Sequence, residues 1–343
     1  MTKVIRVGVI GVGHLGRYHA QKYAAMEHVH LVGVADIDEQ RVQAVATETS
    51  TTPFTDFRRL VDAVDAVSIA TPTTSHFEVG TYCLEQGVDV MMEKPITSTL
   101  EQADALVALA EERGRILQVG LVERFNPAMR AAQERLTLPL FIEAKRVSGF
   151  TRRATDVDVI IDLMIHDLDI ILSLIKSPIT SISAAGAPVL TPHTDIANAH
   201  LIFANGCTAN ITASRVSQVV ERRMRLFQPG ECLIIDFHGK KCSTMQLPVN
   251  DFADTVTPTI SDLKVELTDA LEQELLEFIS CVRTRRAPVV TGSQGRDSLA
   301  VALAIIAAVK KNTQQLIHTL CAAEAGGTVL RQRLGLYCES EPN

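Results

Sequence analysis

The segment GVGHLG, residues 11–16, limits what this chain can fold into more than any other stretch. It follows directly on a strand-like run, VIRVGVI (4–10), and opens a helical one. The next strand-like run, LVGVAD (31–36), ends in Asp36, 20 residues beyond Gly16. Glycines at 11, 13 and 16 permit a tight turn, a close approach of backbone to a pyrophosphate, and close packing of helix on strand. The helix start, at His14 and Leu15, presents N–H groups that have no partner within the helix, which suits phosphate oxygens. A carboxylate at the end of the second strand accepts hydrogen bonds from ribose hydroxyls. Glycines alone are weak evidence, but strand, helix and acid in this order predict a dinucleotide site built from Gly11, Gly13, His14, Leu15, Gly16 and Asp36. Asp36 repels a 2′-phosphate, and neither Ile37 nor Asp38 offers an arginine to offset it, so NAD is expected rather than NADP.

Around this motif, AVSIAT (66–71), VDVMME (88–93) and ILQVG (116–120) continue a series of short β-rich runs separated by amphipathic stretches. Gly87 and Gly114 sit where two helices should end, and Ser98 with Glu101 has the spacing of a capping box. Alternation of strand and helix predicts a parallel sheet covered on both faces. After Gly120 the pattern changes. Residues 141–150, 197–215 and 223–247 read as strands, with turns at Asn205-Gly206, Pro229-Gly230 and Gly239-Lys240, an antiparallel meander preceded by a helix at 157–175. Helices are expected over roughly 267–284 and 295–311. The division expected is 1–121 for the dinucleotide-binding domain, 122–318 for a substrate-binding and oligomerisation domain, and 319–343 for a tail left unassigned. A large sheet with helices on one face needs cover on the other, so a homo-oligomer is expected.

Composition excludes some classes. With 33 basic and 40 acidic side chains the net charge is −7, which is no footprint for general nucleic-acid binding. Seven cysteines without a CxxC pair read as reduced thiols in a cytoplasmic protein. The N-terminus lacks the pattern of a secretory signal. The longest apolar run, residues 299–309, is too short to span a bilayer.

One apolar segment is unusual. In VIIDLMIHDLDIIL, residues 159–172, Asp162, His166 and Asp169 stand at i, i+4 and i+7 and share a helix face, while Ile161, Ile165, Leu168 and Leu172 form a core stripe. A metal site, an active site and a buried structural network all fit such a line. Zinc sites usually recruit another His or Cys nearby, and none presents itself, so no metal is expected.

Taken in order, GVGHLG with Asp36, ATPTTSH (70–76), EKP (93–95) and DLMIHDLD (162–169) resemble the Gfo/Idh/MocA oxidoreductase family over roughly residues 1–315. The resemblance implies an α/β protein: an N-terminal Rossmann domain with a doubly wound parallel sheet, then a C-terminal α/β domain with a large, mostly antiparallel, open-faced sheet. It implies that Lys94, Asp162 and His166 face the nicotinamide and the substrate hydroxyl. Thr71, Pro72, His76 and Glu93 would lie beside the cofactor, and Asp169 would be structural. Two departures stand out: Thr73, where many members have Asn, bears on a cofactor contact, and Met164, where many have Gly, on pocket width. VERFNPA (122–128) and the segment 152–170 are similar to the branch of the family that acts on UDP-linked amino sugars. There Arg124, Arg152 and Arg153 would offer forked donors to a diphosphate, and Asn126 a neutral hydrogen-bond partner. The expected reaction is oxidation of a secondary hydroxyl of a nucleotide sugar, UDP-N-acetylglucosamine to its 3-keto form. A dehydrogenase of a free sugar or polyol such as an inositol, and a non-catalytic ligand sensor, are the alternatives.

Overall fold

The computed structural model describes residues 4–151, 157–246 and 257–322. The chain divides into two units, Met1–Pro127 with Leu267–Ala300 and Ala128–Glu266 with Val301–Asn343.

In the first unit, strands β1 (Ile5–Ile10), β2 (Val29–Ala35), β3 (Thr52–Phe54), β4 (Ala66–Ile69), β5 (Asp89–Glu93) and β6 (Leu117–Gly120) form one sheet in the order β3-β2-β1-β4-β5-β6. Every pairing is parallel, and this is the doubly wound order that reverses direction next to β1. Val7, Val9, Val67, Ile69, Val90, Met91 and Met92 have no exposed surface, because a parallel sheet is covered on both faces and its strands read as unbroken apolar runs. Helix α1 (His14–Ala25) covers β1 with Gly16, His19, Ala20 and Tyr23. Helices α2 (Glu39–Glu48), α3 (Phe57–Val61), α4 (Thr73–Glu85) and α5 (Leu100–Glu112) complete the crossovers. Gly87 and Gly114 follow the caps of α4 and α5 at φ +75° and +59°. The cap of α5 is not Ser98 but Thr99, whose hydroxyl accepts from Gln102 N at 3.3 Å. The helix starts one residue later than the capping-box spacing implies.

After a short 3₁₀ turn (Val122–Phe125), α6 (Pro127–Gln133) opens the second unit. Its sheet comprises β7 (Phe141–Val147), β8 (Ile179–Ala187), β9 (Ile196–Phe203), β10 (Thr208–Ser214), β11 (Glu221–Gln228), β12 (Glu231–Asp236), β13 (Lys241–Gln246) and β14 (Thr259–Asp262). The order is β14-β13-β12-β11-β7-β10-β9-β8. It is not one meander. Two antiparallel runs, β8-β9-β10 and β11-β12-β13-β14, are joined through β7, which pairs parallel with β10 and antiparallel with β11. The turn glycines Gly206 and Gly230 take φ +88° and +85°, as their places between β9 and β10 and between β11 and β12 require.

One face of this sheet, with Ala197, Ala199, Leu201, Ile211, Met224 and Leu233, packs under α6, α7 (Ile165–Leu174) and the middle of α9 (Gly292–Ala322), at Ala302, Ile305, Ile306 and Val309. The opposite face is polar: His200 meets Asn210 at 2.6 Å, Asn198 meets Thr212 at 2.9 Å, Lys145 pairs with Glu221 at 2.7 Å, and Arg225 pairs with Glu143.

Helix α8 (Ala270–Thr284) does not continue the second unit. Leu275, Phe278 and Ile279 share a core with Ile5, Val7 and Val34 of the first sheet. An apolar stripe shows that a helix covers something but not which sheet, so a division at 121 and 318 could not show this return.

Candidate active site

The glycine turn has the geometry a phosphate cradle needs. Gly11 sits at φ +82°, and a Cβ there would meet Thr71 N at 2.7 Å; a Cβ on Gly16 would meet the Gly11 carbonyl oxygen at 1.8 Å. Around Gly13 no atom would lie within 4 Å of such a Cβ. Two glycines are thus required by packing, and the third leaves open space in front of the first N–H groups of α1, where no side chain caps the helix. A cavity of about 570 Å³ opens beside it, lined by Val12, Gly13, His14, Arg17 and Arg41 among others.

Asp36 is set in place by the backbone. Its Oδ2 accepts from Val12 N and its Oδ1 from Asp38 N, each at 2.9 Å. The next helix is capped by Asp38, which accepts from Arg41 N at 3.0 Å, and that cap turns the Arg41 guanidinium back to within 3.3 Å of both Asp36 oxygens. An arginine therefore does stand beside the selecting acid, five residues on, where neither Ile37 nor Asp38 supplied one. These residues fit a dinucleotide: open cradle, helix N-terminus and a preset acceptor.

The carboxyl ends of β4 and β5 bring Thr71, Pro72, His76, Glu93 and Lys94 into one neighbourhood. His76 is buried, with Nδ1 2.9 Å from the Pro95 carbonyl and Nε2 3.0 Å from the Thr71 carbonyl. Its ring stands between two loops, and as a neutral imidazole its single N–H donates to one of these two carbonyls at a time. Burial pushes its pKa down, against the opposing pull of those carbonyls and of the Glu93 charge. Ser75 Oγ donates to Thr71 Oγ1 at 2.9 Å. Glu93 Oε2 accepts from the Lys94 backbone N–H at 3.2 Å, while its Oε1 lies 3.1 Å from Nε2 of His19. A Cβ on Gly120, the neighbour of Glu93 across the sheet, would come within 3.1 Å of that carboxylate, so glycine makes room for it.

Arg124 and Asn126 belong to this unit and are largely buried. Arg124 Nη2 donates to the Val289 carbonyl at 3.2 Å, and Asn126 Nδ2 to Glu123 Oε2 at 2.9 Å. Arg152 and Arg153 lie outside the described residues.

In the second unit, Asp162 lies in a π-helical turn, Ile160–Met164, that runs straight into α7, which carries His166. Both side chains are half-buried, and the two residues after His166 are buried. The wide turn, closed by Ile165 N on the Ile160 carbonyl, shifts the helical phase, so the i, i+4, i+7 line is not that of a plain α-helix. Met164 is fully buried in the core of the unit. Asp169 is buried as well, at 2% exposure.

Asp167 carries the strongest contact under this helix. Its carboxylate takes a forked pair of hydrogen bonds from Arg146 on β7, at 2.8 and 2.9 Å, with both side chains almost wholly buried. The chain entering the π-turn is pinned too: Val159 N donates to the Thr194 carbonyl at 2.9 Å and Thr194 N to Asp158 Oδ1 at 3.0 Å. Asp195 next door gathers the N–H groups of Val189, Leu190 and Thr191 at 2.6–2.9 Å. Burial alone would raise its pKa, but these bonds outweigh burial and hold it below the usual carboxylate range.

His19, Arg41, Arg146 and Asp167 are the neighbours that the sequence pattern does not single out. Among them only the forked Asp167–Arg146 pair has a visible hint, an acid in the middle of an apolar helix.

Comparison with known proteins follows the same two-part organisation. Residues 5–121 match the family described as "Oxidoreductase family, NAD-binding Rossmann fold", and residues 130–228 match the GFO/IDH/MocA C-terminal domain. A UDP-N-acetylglucosamine 3-dehydrogenase of Acidithiobacillus ferrooxidans is 40% identical over 316 residues, 91% of this chain and 99% of its own. The NAD(+)-dependent scyllo-inositol 2-dehydrogenase of Bacillus subtilis is 30% identical over 325 residues, 89% of this chain and 94% of its own. A solved structure of a UDP-N-acetylglucosamine 3-dehydrogenase from A. ferrooxidans superposes with a TM-score of 0.85 at 37% identity, covering 90% of this chain and 98% of that one.

Proposed function

The chain belongs to the Gfo/Idh/MocA oxidoreductase family and is an NAD-dependent dehydrogenase, and on that premise we propose that it oxidises the 3-hydroxyl of UDP-N-acetylglucosamine to the ketone. The observation that carries this reading is the 40% identity to a UDP-N-acetylglucosamine 3-dehydrogenase across 91% of the chain, in a protein that keeps the open glycine cradle, Lys94, Asp162 and His166.

NAD, when bound, supplies the acceptor for the hydride leaving carbon 3. The residues do the rest. Gly11, Gly13 and Gly16 leave room for the pyrophosphate at the start of α1, and Asp36 accepts from the adenine ribose. His166 takes the proton of the substrate hydroxyl; an imidazole titrates close to neutrality, which suits a general base. Asp162, one wide turn before it, orients the ring, and the Lys94 ammonium orients the hydroxyl oxygen and stabilises negative charge developing there. Arg152 and Arg153, together with Arg124, hold the diphosphate, and Asn126 assists at the sugar or the cofactor amide. Binding energy from the diphosphate then positions the sugar.

The second reading is oxidation of a free polyol, favoured by the 30% identity to a scyllo-inositol 2-dehydrogenase. Steady-state turnover of UDP-N-acetylglucosamine, N-acetylglucosamine and scyllo-inositol with NAD separates the two readings. The proposed cell compartment is the cytoplasm. The proposed assembly is a homo-oligomer through the uncovered face of the second sheet, whose cross-strand rows of polar and charged pairs suit a wet, hydrogen-bonded interface. Among the described residues no helix is long and apolar enough to cross a membrane.

A further inference from the structure

Lys94 lies between two residues that each face a buried histidine. On its N-terminal side stands Glu93, whose Oε2 accepts from the Lys94 N–H and whose Oε1 is 3.1 Å from Nε2 of His19. His19 has no exposed surface. The ring is at ion-pair distance from Glu93 but not aligned as a hydrogen bond, and its Nδ1 likewise has no hydrogen-bond partner. An imidazole buried in that way costs free energy unless its polar atoms are met, and the Glu93 carboxylate is the charged group that faces it. On the C-terminal side stands Pro95, whose carbonyl is 2.9 Å from Nδ1 of His76; the other nitrogen of that ring holds the Thr71 carbonyl at 3.0 Å.

We infer that His19 and His76 are positioning residues for Lys94, acting through Glu93 and through the Pro95 carbonyl, so that the lysine leaves the end of β5 along one fixed direction. The inference rests on the reading of Lys94 as a group that meets the substrate hydroxyl. Both rings lie outside reach of chemistry themselves: His19 is sealed in the face of α1 that covers the sheet, and His76 is buried between the Pro95 and Thr71 carbonyls. Their effect is geometric. A residue that orients a catalytic group changes the rate of the chemical step more than it changes binding, because displacement of a reacting group by about 1 Å costs on the order of 10²-fold.

The experiment substitutes each histidine twice in the full-length enzyme, His19→Met and His76→Met to fill the space without polarity, His19→Gln and His76→Gln to restore an N–H donor. Turnover is measured at saturating substrate, with NADH affinity measured separately by fluorescence titration. The expected result is a fall in kcat of about tenfold or more for each Met variant. KM and NADH affinity should stay within about twofold, and the Gln variants should recover most of kcat. Met variants with unchanged kcat, or Gln variants as impaired as Met, overturn the inference. If a Met variant does not fold, Glu93→Gln carries the test. Glutamine keeps an acceptor at only one of the two places that the Glu93 oxygens occupy and puts an NH2 donor at the other, so kcat should drop about tenfold; an unchanged kcat overturns the inference again. Lys94→Ala tests the underlying reading by itself. If it retains full turnover, the role of Lys94 is wrong whatever the histidines do.

Discussion

Two backbone N–H groups fix the carboxylate of Asp36, the residue proposed to select the cofactor. A fixed negative charge cannot turn away from a 2′-phosphate. Asp36→Ala should therefore raise the ratio of NADP to NAD use by about tenfold or more, equivalent to ~1.4 kcal/mol. Arg41, still paired with Asp38, would then face the phosphate, and the double variant Asp36→Ala/Arg41→Ala should lose most of the gain. Kd values for the two cofactors read this directly; an unchanged ratio in the single variant would remove Asp36 as the selector. His166 carries the second residue-level expectation. His166→Asn should lower kcat by a factor on the order of 10² to 10⁴ with the fold intact, checked by turnover at substrate saturation. The glycines and Asp36 stand out in the sequence because they have a fixed spacing to a strand and a helix end, whereas the EKP and D-x-x-x-H groups stand out only through the family resemblance. Arg41 and His19 do not, since their importance lies in which neighbour the fold turns them toward.

Helix α7 and the π-turn before it are held from below by Arg146–Asp167 and at the entrance by Asp158 and the Asp195 loop. Removing one partner of a buried ion pair leaves the other charge stranded. Asp167→Ala should accordingly cost about 3–5 kcal/mol of stability, read from urea unfolding. A loss under ~1 kcal/mol, the range of an exposed pair, would mean that water can replace the contact. Asp195 makes a prediction with a sign. Its folded pKa lies below the ordinary carboxylate value, so at low pH the unfolded chain binds a proton that the folded chain resists. Its contribution is present above the unfolded pKa and disappears as pH falls through the folded one. Asp195→Asn should be less stable than wild type at neutral pH and show a shallower loss of stability on acidification, measured by denaturant melts from neutral to acid pH.

The strands that periodicity missed share a cause. β3, β8 and β14 are all edge strands, and an edge has a neighbour on one side only and less apolar surface to bury. β3 also carries Pro53, and all four residues of β14 are exposed. The π-turn was hidden for another reason: one extra residue in a helical turn changes no residue type, only the phase.

Across the molecule as a whole, the order of motifs along the chain made the two sheets and their classes readable, while the path of the chain between them was not. α8 returns to the first unit, and the parallel β7–β10 pairing interrupts what reads as one meander. Both are long-range choices, made by packing between segments that are remote in sequence. The proposed assembly is a property at this level, and light scattering coupled to size exclusion should give an integral multiple of the chain mass greater than one; a monomer at micromolar concentration would reject it. Substrate identity also belongs to the whole chain, since donors from separated segments must act on one ligand. Its most direct measurement is kcat/KM with NAD for UDP-N-acetylglucosamine beside free N-acetylglucosamine. Anchoring by the diphosphate predicts a value on the order of 10²-fold or more higher for the conjugate, with a 3-keto product; equal values, or turnover of scyllo-inositol above both, would contradict it.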